Sequence, residues 1–133
     1  MAAAVWDYGD GMEMLRVFWD EAVALDPTSD PKDERHMPVC RRGELAALWT
    51  AQGLLDVREE PLVIPLTFSS FDDFWSPFQE GQGPAGALVA SLSEGPRRNL
   101  EQRLRRRLLG DGEDRLIAQQ ARAWAVRGVV PGR

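Results

Sequence analysis

Residues 5–27, VWDYGDGMEMLRVFWDEAVALDP, read as the end of a strand, a tight turn and an amphipathic helix. The short apolar run from Ala2 to Tyr8 carries the β-favouring pair Val5 and Trp6, and Gly9, Asp10 and Gly11 then break the strand. Asp10 and Glu13 stand at capping-box spacing, which predicts a helix opening after Asp10 with that aspartate as its cap. Met12, Leu15, Phe18, Trp19, Ala22 and Val23 recur at helical spacing, with Glu13, Arg16, Asp20 and Glu21 on the rest of the wheel. Pro27 marks the stop. In an open α/β sheet, ligands bind beyond the carboxyl ends of strands, so Trp6, Asp7, Tyr8 and Asp10 form the first candidate site.

At 133 residues the chain has the length of a single domain, and 44% hydrophobic with 28% charged residues is ordinary for a globular protein. A net charge of −5 argues against a nucleic-acid or anionic-membrane binder. One cysteine, Cys40, excludes an internal disulfide, fits a reducing, cytoplasmic setting, and with the lone His36 leaves no Cys/His cluster for zinc. No metal site is predicted. The apolar run before Asp7 is too short for a signal peptide or a membrane span.

Thr28 to Pro38 is charged and proline-punctuated, an exposed loop by composition. Gly43 to Gln52 predicts a helix with Leu45, Leu48 and Trp49 inward and Gly53 just past its end. Leu54 to Phe68 is strand-like but interrupted by Pro61 and Pro65, which predicts a bent or edge strand. Ser70 caps a helix on which Phe71, Phe74, Trp75 and Phe78 share one face. The GQGPAG joint at 81–86 is a poor phosphate cradle, because Pro84 removes an amide donor and no strand feeds into it. Ala87 to Leu92 predicts a helical turn or two, and Ser93 opens a longer helix with Leu100, Leu104 and Leu108 inward. Its arginine-rich faces read as a solvated surface, since no aromatics interleave to stack bases. Arg115 to Val130 predicts a long strand. Strands separated by helical connections predict a parallel α/β sheet.

Four stretches carry a family resemblance: AAVWDYGDGMEMLRVFWDEAVALDP at 3–27, CRRGELAALWTAQGLLDV at 40–57, FSSFDDFWSPFQEGQGPAG at 68–86 and RAWAVRG at 122–128. Together they resemble the C-terminal half of a class I S-adenosylmethionine-dependent methyltransferase of the type-11, small-molecule kind. The family sheet runs 3-2-1-4-5-7-6 with strand 7 antiparallel. The resemblance implies a Rossmann-like fold in which Ala2 to Tyr8 is strand 5, Leu55 to Phe68 strand 6, and Arg115 to Val130 strand 7 between them. Residues 1–133 would then form one partial domain, with 69–110 a helical insert or cap. The glycine-rich turn and acidic strand end by which the family holds S-adenosylmethionine do not precede Val5, so the chain reads as the substrate-side half, a truncated frame, a misplaced start or a fragment, inactive alone.

By that resemblance, the intact enzyme transfers a methyl group to a small apolar or aromatic acceptor. Trp6, Asp7, Tyr8 and Met12 would line the pocket floor, Phe71, Phe74, Trp75 and Phe78 would cap it, and Gln79 would orient the acceptor. No catalytic base is assigned. Core packing is the other reading of the aromatic stripe. The competing class is a non-enzymatic interaction module, self-associating through the edge of the N-terminal strand or completed by a partner chain.

Overall fold

The computed structural model describes residues 1–132. Its architecture is α/β, with strands β1 (Ala2–Trp6), β2 (Leu55–Phe68) and β3 (Ile117–Val129) in the sheet order β1-β3-β2. Both pairings are antiparallel, which corrects the parallel ladder expected from the helical connections. β1 and β2 do run in the same direction, but β3 lies between them and neither touches the other. Flanked on both sides, β3 buries Ile117, Gln119, Ala121 and Ala123 on one face and Trp124 and Val126 on the other. β2 is an edge strand, as its prolines require, with an irregular register between Leu55 and Arg58 where Asp56 takes a φ of 51°.

Five helices surround the sheet: α1 (Glu13–Leu25), α2 (Glu44–Ala51), α3 (Phe71–Gln79), α4 (Gly83–Ser91) and α5 (Glu94–Leu109). The larger core joins Val17, Phe18, Trp19 and Ala22 of α1 to the α3 aromatics, Leu88 and Val89 of α4, Leu100 and Leu104 of α5, and Ile117. Phe18 stacks on Phe78 at 4.6 Å between ring centroids, while Phe68 meets Phe74 edge-on at 5.4 Å. A smaller core on the opposite face packs Leu45 and Trp49 of α2 against Val126. Leu48, expected inward, is exposed, because a helix of eight residues turns only one narrow stripe to the sheet.

The arginines of α5 meet acids on α1. Arg107 pairs with Asp20 at 2.9 Å and Arg103 with Glu21 at 2.9 Å, and Asp20 also holds Arg35. Burial opposes ionisation of Asp20, but hydrogen bonds from Arg35 and Arg107 outweigh it and hold its carboxyl below the usual range. Capping follows the expected pattern for α3, where the Ser70 hydroxyl accepts from the Asp73 amide at 3.2 Å. At α1 the expected Asp10 cap is not formed. Met12 stands at the cap position without a side-chain bond, because the ladder runs on through Gly11 and leaves Asp10 in the turn two residues before it, 3.3 Å from Arg122. Ser93 precedes α5, also without a side-chain cap bond.

The segment from Thr28 to Pro38, expected as an exposed loop, instead holds two short 3-10 turns, Pro27–Lys32 and Glu34–His36, and Ser29, Asp33 and Glu34 are buried. Glu34 reaches the first turn of α4, where its Oε1 accepts from the Ala85 amide at 3.0 Å. Burial pushes its carboxyl above the usual 4.5, against the downward pull of that amide. A carboxyl with a raised native pKa binds its proton more tightly folded than unfolded, so stability falls as pH rises from 4.5 through the raised value. Urea titrations across this window are expected to show Glu34→Gln gaining stability relative to wild type as pH rises. Phe74 is fully buried, and Phe74→Ala should cost about 3–5 kcal/mol in the same assay.

Candidate functional site

The carboxyl end of β1 is built around one buried ion pair. After Trp6 the ladder continues through Asp7, whose amide donates to the Arg122 carbonyl at 2.9 Å, and resumes where the Arg122 amide donates to the Gly11 carbonyl at 2.9 Å. Tyr8, Gly9 and Asp10 are looped out between. Asp7 and Gly11 therefore both face Arg122. The Asp7 side chain is 2% exposed, and its Oδ2 accepts from Arg122 Nε at 2.9 Å and Nη2 at 2.7 Å, while Oδ1 accepts from the Asp10 amide at 3.1 Å. The hydrogen bond to Asp7 raises the Arg122 pKa, against partial burial and with help from the charges of Asp7 and Asp10.

Glycine is required at position 11 by space. A Cβ there would lie 2.6 Å from the Arg122 Cβ and 2.9 Å from Asp7 Oδ2. The Arg122 guanidinium also lies 4.8 Å from the Trp124 ring centroid, and Arg42 lies 5.1 Å from the same ring. Asp10, Gly11, Glu13, Arg16, Val63, Gln120 and Arg122 line a hollow of about 140 Å³ beside the pair, below the 300–1,000 Å³ usual for a small-molecule site.

The structure divides the residues named from sequence into two places. Asp7 sits in the ion pair with both carboxylate oxygens engaged. Trp6 is 40% exposed, Tyr8 is half-buried on the looped-out turn, and Met12 bridges to Ala121. Phe71, Phe74, Trp75 and Phe78 lie in the larger core, and Gln79 is exposed at the end of α3. Sequence reasoning missed the roles of Arg122, Arg42 and Trp124. Its available signal was Arg122, the one charged residue in AQQARAWAV, since a charge within a strand that lies between two others needs a partner on a neighbouring strand.

Other candidates are satisfied internally. Among the described residues, Asp30, Asp33 and His36 form one cluster of ligand type, but Arg35 occupies both Asp33 oxygens and His36 pairs with Asp30 at 3.1 Å. Cys40 is buried and donates to the Met37 carbonyl at 2.9 Å. In the GQGPAG stretch, a Cβ on Gly86 would lie 2.8 Å from the Gly81 backbone, so these glycines let two backbones meet. An apolar hollow of about 330 Å³ lies between the last turn of α1, α4 and α5, lined by Ala22, Leu25, Leu88, Leu92 and Leu100 together with Ser29 and Asn99. No protein-family model matches the chain, and a search of curated proteins returns no match.

Replacing Asp7 with asparagine removes the carboxylate that accepts from both Nε and Nη2 of Arg122 and leaves only the exposed Asp10 facing that guanidinium. Asp7→Asn should cost roughly 1–3 kcal/mol in denaturant unfolding, and Gly11→Ala should also destabilise by forcing the two strands apart.

Proposed function

We propose that this chain is the acceptor-side part of a class I S-adenosylmethionine-dependent methyltransferase domain, acting in the assembled enzyme on a small apolar or aromatic molecule. The observation that carries the reading is the strand order. The strand last in sequence lies between the other two and antiparallel to both, as strand 7 does between strands 5 and 6 of that family. The stretch 3–27 supplies β1 and α1, and 122–128 supplies the half of β3 that pairs with β1.

On this reading Trp6, Tyr8 and Met12 offer the rim toward the acceptor. Asp7 and Arg122 hold that rim in place, and the α3 aromatics supply framework behind it. We infer that the seat for S-adenosylmethionine is not formed by these residues. The GQGPAG backbone closes on itself, and the hollow beside Arg122 is too small, so no chemical step is assigned to this chain alone. The open edge of β1 favours a second reading, an α/β interaction module without catalysis.

Calorimetric titration of S-adenosylmethionine and S-adenosylhomocysteine into the purified chain is expected to give only heats of dilution; stoichiometric binding would overturn the assignment to an acceptor-side part. The DNA ahead of the Met1 codon is expected to encode a glycine-rich methyltransferase turn in frame, and its absence would favour the interaction module.

A further inference from the structure

The two edges of the sheet are unlike. Met1 and Gly128 exchange backbone hydrogen bonds and the Asp7 amide bonds to Arg122, so the odd-numbered residues at this end face β3. The amides and carbonyls of Ala2, Ala4 and Trp6 therefore point away from it. Among the described residues, β1 pairs with β3 alone. Its five residues carry no charge, proline or bulge. The outer strand on the other side, β2, has Pro61, Pro65 and an irregular register, devices that discourage strand addition.

We propose that two copies of this chain pair antiparallel along β1, about a two-fold axis at Ala4. Ala4 lies opposite the partner's Ala4, and Ala2 opposite the partner's Trp6, so every outward donor and acceptor of the strand finds a mate. The result is a continuous six-stranded sheet, three strands from each copy. Side-chain complementarity selects a second copy over an unrelated strand. Ala2, Ala4 and Trp6 share the face that carries Arg127, which pairs with Ala2. Trp6, 40% exposed, then lies over the partner's Ala2, whose methyl group leaves room for the indole to reach the partner's Arg127. An exposed guanidinium and an exposed indole are thereby matched twice by symmetry. The pairing rests on the second reading, the interaction module, because in an assembled methyltransferase domain the outer edge of β1 would already be covered.

Sedimentation velocity and light scattering across the micromolar range should give a mass approaching twice the 14.9 kDa of the chain. Ala4→Pro removes an outward donor while leaving the odd-numbered ladder untouched, and is expected to be monomeric with an unchanged circular dichroism spectrum. Should that variant fail to fold, Trp6→Arg, at an exposed position, sets like charges together and should weaken association at least roughly tenfold. Hydrogen exchange should show the Ala4 and Trp6 amides slowing as concentration rises. A monomer throughout the range, a dimer indifferent to both substitutions, or open-ended polymers would each overturn the proposal. Because these measurements read mass and exchange, their outcome is independent of S-adenosylmethionine binding.

Discussion

A carboxylate taken out of water needs a cation held beside it, and Asp7 finds one in Arg122, 115 residues further along the chain. The pair fixes more than two side chains. It sets the register of β1 on β3, forces the turn from Tyr8 to Asp10 out of the ladder, and leaves room only for glycine at position 11. Because α1 begins directly after this turn, the direction of the helix that carries Phe18 and Trp19 into the core follows from the same contact. The Arg122 guanidinium then extends the arrangement to Trp124, which joins the ion pair to the side of the sheet covered by α2.

The remainder of the molecule is a division of labour between aromatic packing and charge. α1 offers Phe18 and Trp19 to the core on one side and Asp20 and Glu21 to α5 on the other. The rings supply burial, about 1.5–3 kcal/mol for each large side chain fully removed from water. The half-exposed ion pairs contribute less and chiefly orient α5. The Asp114 carboxylate accepts from the Phe71 amide at 2.8 Å, tying the start of the aromatic helix to the turn that leads into β3.

Much of this was legible in the sequence because local rules governed it. The aromatic spacing on α3, the stop at Gly53 and the prolines of β2 each depend on neighbours in the chain, and each element appears where those rules place it. Asp10 failed as a cap for a non-local reason: spacing to Glu13 permits a cap, but the Arg122 amide holds Gly11 in the ladder from a strand far away in sequence, so the helix opens only after Met12. The buried Glu34 was hidden in a charged, proline-rich segment for the same reason, since its partner is an amide of α4, 51 residues on. The candidate site was half legible. Trp6, Asp7, Tyr8 and Met12 do gather at a strand end, but the aromatic stripe goes to the core, because residues on one face of a helix are drawn to whatever apolar surface lies nearest, here Phe18 and Phe68.

The central strand is also the last of the three to be synthesised. Among the described residues, β1 and β2 have no sheet partner other than β3, so within this stretch their ladders close only once β3 is made, while α1, α3, α4 and α5 can begin to gather around their own apolar faces. On the ribosome, this order makes the helical cluster the early product and the sheet the late one.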